Sequence, residues 1–214
     1  MPVPVKICGL SRADAVAAAV AGGAAFVGFV FYPRSPRAVT PETAGRLAAA
    51  VPPGIVKVGL FVDPGDDAIA ATLAAAPLDL LQLHGEETPE RAATIRARFG
   101  RPVMKVLPVA EADDVAEADR YVAVVDRLMF DAKPPTRPDA LPGGNGLPFD
   151  WRLLAGRHWP VPWMLAGGLT AATVAEAVRL TGAPAVDVSS GVEDAPGVKS
   201  VAKIAAFLAA ARAL

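Results

Sequence analysis

The sequence predicts an α/β protein closed as a (βα)8 TIM barrel of eight parallel strands, one domain over residues 1–214. Three observations carry this. Short β-branched runs alternate about eight times with longer alanine-rich segments, the order of strands each followed by a covering helix. No GxGxxG follows an early strand, as an open dinucleotide-binding sheet would require. The length of 214 residues suffices for eight βα units, on the small side of the usual range.

The first candidate strand is Val3 to Ile7, ending at Cys8 and Gly9, and Ser11 with Asp14 approximates a capping box for the helix after it. Phe26 to Val30 is the second. A proline-stiffened stretch, Tyr32 to Arg37, leads from it to Thr40, Pro41 and Glu42, which place a cap, a first-turn proline and an early acid in order. Val56 to Phe61 is the third strand. Asp63 and Pro64 resemble a cap-plus-proline start for an apolar helix through Ala76, which Pro77 ends. Leu78 to Leu83 is the fourth, and Thr88, Pro89 and Glu90 repeat the capping device. After Val103 to Leu107, Tyr121 to Val125 reads either as a strand by β-branching or as the last turns of a helix. Helix keeps the alternating order, with Leu128 to Phe130 as the sixth strand. Lys133 to Leu147, rich in Pro and Gly, is a loop of a length that suggests function. Val161 to Ala166 and Ala185 to Val188 complete the set.

Composition narrows the function. The chain has 45 alanines, 19 glycines and 21 prolines, with no collagen-like period. A net charge of −1 supplies no global field for nucleic acid or an anionic membrane. The beginning of the chain lacks the apolar run of a signal peptide or membrane span, so a cytoplasmic location is expected. One cysteine excludes an internal disulfide and a multi-cysteine zinc cluster, and the two histidines stand in no HxH or HExxH spacing. No metal or cofactor is expected.

If the barrel closes, residues after the strands share one rim, where barrel enzymes build their sites. Cys8 is either a small buried hydrophobe or a reagent. Strand alternation puts Lys6 on its face, and with the nearby helix start this predicts a thiol pKa below about 8.5. Asp131 closes the apolar run Leu128 to Phe130, a setting that raises a carboxyl's proton affinity and suits a general acid, though a cap or loop ion pair is the alternative. Asp63 reads as a cap. His84 lies where it can touch a ligand, whereas His158 reads as surface or packing. Arg34 or Arg37 can clamp a carboxylate from the stiffened loop. Gly143-Gly144-Asn145-Gly146, Gly167-Gly168 and Ser189-Ser190-Gly191 lie where backbone amides of successive loops can jointly bind a phosphate.

The motifs Lys6-Ile7-Cys8-Gly9, Leu81-Gln82-Leu83-His84-Gly85, Pro142 to Gly146, Leu165 to Leu169 and Asp187 to Glu193, with Asp131 between, resemble the phosphoribosylanthranilate isomerase family of tryptophan biosynthesis over nearly the whole chain. The resemblance implies a (βα)8 barrel and a cofactor-free Amadori rearrangement of N-(5-phosphoribosyl)anthranilate, with a phosphorylated small molecule as partner; the apolar residues fit a monomer and a homodimer equally. It implies Asp131 as general acid, Cys8 as general base, Arg37 at the anthranilate carboxylate and His84 against the substrate. It implies a phosphate site from Gly144, Asn145, Gly168, Ser190 and Gly191. Asn145 stands where the family usually has threonine and offers a backbone amide and a side-chain amide. The isomerase that performs the same rearrangement on a ribonucleotide usually employs two aspartates, so Cys8 favours the anthranilate substrate.

Overall fold

The structure, a computed structural model, describes residues 2–136 and 141–214. Eight parallel strands form a closed barrel in sequence order: β1 (Val5–Cys8), β2 (Phe26–Val30), β3 (Val56–Phe61), β4 (Leu80–Leu83), β5 (Val103–Val109), β6 (Arg127–Ala132), β7 (Trp163–Leu165) and β8 (Val186–Val188). Closure is made by β8 pairing with β1, Lys6 standing opposite Asp187 in the register. The seam is thin on the other side of β8, where Leu165 and Val186 are the paired residues. Helices α1 (Ala13–Ala21), α2 (Pro41–Ala49), α3 (Asp66–Ala75), α4 (Pro89–Phe99), α5 (Ala112–Ala116), α6 (Val174–Thr181) and α7 (Val201–Arg212) surround the barrel, and a 3₁₀ turn at Trp151–Leu154 stands between β6 and β7. A small antiparallel hairpin, β9 (Glu193–Ala195) with β10 (Val198–Lys199), follows β8.

The two-residue alternation sorts the side chains. Ile7, Val27, Phe29, Phe61, Leu81, Leu83 and Phe130 face the helices, where Ile204 and Phe207 of α7 join the same core. Phe26, Val58, Leu80, Met104, Met129 and Met164 fill the barrel interior. Above them the interior becomes polar. Lys6, Gln82, Asp131 and Asp187 are buried on strands whose other residues are almost wholly apolar. Burial of that kind is costly unless partners are supplied, which marks this end as the working one.

Several local expectations change. The Thr40 and Thr88 caps hold, each hydroxyl accepting from the amide three residues on, Thr43 and Arg91, at 3.2 Å. Ser11 does not cap α1. Arg12 is the N-cap residue but its side chain makes no capping bond, and Asp14 accepts instead from the Ala15 amide and the Arg12 guanidinium. Asp63 is not a cap either: it sits at φ +46°, its Oδ1 accepts from the Glu86 amide, and α3 starts from Gly65. An aspartate tolerates this left-handed backbone better than most residues, which lets the chain turn before Pro64. Tyr121 to Val125 is neither helix nor strand but a turn after the 3₁₀ segment Glu117–Arg120, pinned by the Tyr121 hydroxyl donating to the Glu87 carbonyl. The strand ends also move. β1 runs through Cys8 and β6 through Ala132, so Cys8 and Asp131 are the last inward-facing residues of their strands. Residues 137–140 of the loop expected from Lys133 to Leu147 lie outside the described residues.

Candidate active site

A cleft of about 770 Å³, mouth included, opens at the C-terminal ends of the strands. It is lined by Cys8, Arg37, Gln82, His84, Asp131, Gly144, Asn145, Gly168, Ser190 and Gly191 among others. Every residue singled out from sequence as part of the site, Arg34 excepted, therefore lines this one cleft. His158 is exposed, and Arg34 is exposed while Arg37 is buried, so the stiffened loop brings its second arginine inward.

Cys8 is 4% exposed, with Lys6 beside it on the same face of β1. Lys6 is fully buried, and its Nζ donates to Asp187 Oδ1 at 2.8 Å across the β1–β8 seam. Burial pushes the Lys6 ammonium toward deprotonation, but Asp187 and Cys8 more than reverse this and hold it above its ordinary value. The same burial pushes the Cys8 thiol up. Lys6 pulls it down and Asp187 pushes it up again, and burial wins, so the thiol is raised rather than lowered. This corrects the expectation of a depressed thiol: Lys6 lies where anticipated, but Asp187 offsets part of its charge and the barrel interior penalises the thiolate.

Asp131 faces His84 across the cleft, with His84 Nε2 3.4 Å from Asp131 Oδ2, while Asp131 Oδ1 accepts from the Ala132 amide at 2.8 Å. Gly143 lies directly over the pair. A Cβ there would stand 2.5 Å from His84 Nε2 and 2.8 Å from Asp131 Oδ2, so only glycine permits this approach. His84 itself is aimed by its own loop. Glu87 accepts from the Asp63 and Gly85 amides, and Lys105 Nζ donates both to Glu87 Oε2 at 2.7 Å and to the Gly85 carbonyl at 2.6 Å.

Arg37 is gripped in a fork. Its Nε donates to Glu193 Oε1 at 2.7 Å and its Nη2 to Oε2 at 2.9 Å, with Nη2 also reaching the Gly144 carbonyl at 3.1 Å. Among the described residues Nη1 has no hydrogen-bond partner, and it lies beneath Gly144. Burial pushes Glu193 up, but the Arg37 hydrogen bonds and the Lys199 charge bring its carboxyl below the usual range. Lys199 Nζ binds Glu193 Oε1 at 2.6 Å and the Ser189 carbonyl at 2.9 Å, tying the arginine to the loop after β8.

That loop supplies the phosphate-type cradle. Among the described residues the backbone amides of Gly168, Ser190 and Gly191 have no protein acceptor, and all three residues line the cleft. Asn145 departs from expectation. Its Nδ2 donates to the Leu141 carbonyl at 2.8 Å, so the side-chain amide closes its own loop and leaves the backbone to face a ligand.

Sequence reasoning did not assign roles to Gln82, Asp187, Glu193 or Lys199. One signal was available for the two on barrel strands: a polar residue at an inward position between apolar neighbours, as Gln82 between Leu81 and Leu83. The partners of Glu193 and Lys199 depend on tertiary folding and leave no local trace.

Comparison with known proteins gives a consistent result. A family model described as N-(5'phosphoribosyl)anthranilate (PRA) isomerase matches residues 5–210. The chain is 63% identical over 214 residues to the N-(5'-phosphoribosyl)anthranilate isomerase of Rhodospirillum centenum, covering all of both chains. It is 59% identical over 212 residues to that of Paramagnetospirillum magneticum, covering 99% of this chain and 98% of the other. Among solved structures, the phosphoribosyl anthranilate isomerase of Thermotoga maritima superposes with a TM-score of 0.86 at 35% identity, covering 99% of this chain and 100% of that one. A phosphoribosyl anthranilate isomerase in complex with reduced 1-(o-carboxyphenylamino)-1-deoxyribulose 5-phosphate superposes with a TM-score of 0.83 at 34% identity and the same coverage.

Proposed function

The chain belongs to the N-(5'-phosphoribosyl)anthranilate isomerase family, and from that membership we infer how its own residues divide the reaction. It is an isomerase that converts N-(5'-phosphoribosyl)anthranilate to 1-(2-carboxyphenylamino)-1-deoxyribulose 5-phosphate, an Amadori rearrangement in tryptophan biosynthesis. The observation that carries the assignment of roles is the meeting of Cys8 on β1 and Asp131 on β6 in one cleft, between a forked arginine and unpaired backbone amides.

Asp131, as general acid, gives its proton to the furanose ring oxygen as the bond from that oxygen to C1 breaks. The amine nitrogen's lone pair forms the C1=N bond of a protonated Schiff base. Cys8, as thiolate, takes the proton from C2, whose electrons form the C1=C2 bond of an enolamine while the C=N pair returns to nitrogen. Tautomerisation to the C2 ketone completes the step. Lys6 favours the thiolate, and the raised thiol makes that favour necessary. Arg37 holds the anthranilate carboxylate through the nitrogen that Glu193 leaves unused. Backbone amides of Gly144, Asn145, Gly168, Ser190 and Gly191 hold the phosphate. His84 lines the substrate beside Asp131. We read the enzyme as a single cytoplasmic domain of either one or two copies. Among the described residues no helix is long and apolar enough to cross a membrane.

A steady-state assay with substrate generated in situ, following loss of anthranilate fluorescence, tests the acid and base. Cys8→Ser and Asp131→Asn are each expected to lower kcat by about 10²–10⁴-fold. Full turnover in the double variant would refute both roles.

A further inference from the structure

Gln82 is fully buried on the inward face of β4, in the floor of the cleft, and nothing in the reaction so far uses it. Its Nε2 lies 3.2 Å from His84 Nδ1 and 3.8 Å from the Met129 thioether sulfur, while its Oε1 has no hydrogen-bond partner among the described residues. The sulfur fixes which way round the amide stands. A thioether accepts weakly and never donates, so the amide NH2 belongs toward it, and turning the amide over would set two acceptors against each other. With its NH2 there, Gln82 donates to Nδ1. An imidazole nitrogen that accepts a hydrogen bond carries no proton, so the proton of the neutral ring resides on Nε2. Nε2 is the nitrogen 3.4 Å from Asp131 Oδ2, and it is itself a buried polar atom without a hydrogen-bond partner.

We propose that Gln82 is a positioning residue that fixes His84 in the Nε2–H tautomer, aiming a donor at the carboxylate that Asp131 becomes after protonating the substrate. The proposal rests on Asp131 being the general acid. Before proton transfer the 3.4 Å separation is too long for a good hydrogen bond. Once Asp131 has given up its proton, the negative charge on Oδ2 draws the N–H in, and the bond gains strength only as the reaction proceeds. A donor waiting where charge develops is the arrangement that accelerates a step rather than merely tightening ground-state binding. The opposite tautomer would present a lone pair to that carboxylate. Met129 therefore has a second task besides filling the barrel, that of denying the amide its other orientation.

The protein has two histidines, and the second, His158, is exposed in the segment before β7, so His158→Gln leaves a single-histidine enzyme. Nitrogen-15 NMR of histidine-labelled protein at about pH 8 distinguishes a protonated from a bare ring nitrogen. The expected spectrum has the proton on Nε2 and the bare nitrogen at Nδ1. A ring protonated on Nδ1 would overturn the proposal without any variant being made. Gln82→Glu replaces the donor by an acceptor of the same shape and is expected to move the proton to Nδ1 or to protonate both nitrogens. Gln82→Leu removes the donor altogether. Each is expected to lower kcat by about ten- to a hundredfold, the effect of one hydrogen bond to a charged group, while KM moves less than about threefold. Unchanged kcat in folded Gln82→Glu, with its tautomer moved, would also overturn the proposal. Asp131→Asn separates the two readings. Retained turnover there removes the general acid yet leaves the Nε2–H tautomer to be seen in the spectrum.

Discussion

At the scale of single residues, Cys8 and Lys6 set the pH behaviour. Burial raises the thiol and Lys6 opposes it, so the fraction of thiolate grows as pH rises through a value above that of an ordinary cysteine. Activity on the free enzyme, read as kcat/KM, is expected to climb through neutral pH with the thiolate rather than level off near pH 8, and absorbance near 240 nm should rise in parallel. Lys6→Met removes the largest favourable charge, leaving the weaker pull of Lys199, and is expected to lower kcat/KM at pH 8 about tenfold or more, with the thiol titrating still higher. A second prediction concerns Gly143. Its alanine variant would press a methyl group into His84 and Asp131, and kcat is expected to fall by about 10²-fold while the melting temperature hardly moves, because the residue belongs to a loop. The placement of Cys8 and Asp131 in the cleft was legible in the sequence, since each stands at the end of a candidate strand. The opposing effect of Asp187 was not, since it stands 181 residues from Lys6 and only the closed barrel brings them together.

At the scale of elements, legibility followed how local the governing interaction is. The caps at Thr40 and Thr88 bond within three residues and were read correctly, with proline in the first turn of both helices. Asp63 carried the same outward sign and does something else, because its partners Glu86 and Glu87 come from the next βα loop. The β9–β10 hairpin left no strand signal strong enough to find, yet it delivers Glu193 to Arg37 and Lys199 to the loop after β8. Its effect should appear in binding. Glu193→Gln keeps the shape but loses the charge that aligns the guanidinium, and KM is expected to rise about tenfold with kcat changed much less. Steady-state kinetics over a range of substrate concentrations separate the two.

At the scale of the whole molecule, the fold class was legible because alternation of strand and helix is a property of the entire chain, insensitive to errors of a few residues at any boundary. Closure carries the stability prediction. The seam at β8 joins β7 through Leu165 and Val186 and joins β1 around the buried Lys6–Asp187 pair. Asp187→Asn strands a buried ammonium and is expected to cost about 3–5 kcal/mol in urea unfolding, whereas Lys6→Met with Asp187→Leu is expected to recover most of it while kcat/KM stays lowered, as with Lys6→Met alone. The same seam has a consequence for the protein's birth. Lys6 and Cys8 are made long before their partners: the aspartate that pairs with Lys6 follows it by 181 positions, and the serine whose hydroxyl bonds the Cys8 carbonyl comes two residues after that aspartate. At ordinary translation rates the nascent chain carries the proposed base for roughly 10–40 s before the cleft around it is complete. Catalysis is thus switched on by the last strand and the hairpin behind it, and a message cut short before them yields a barrel's worth of helices with nothing to do.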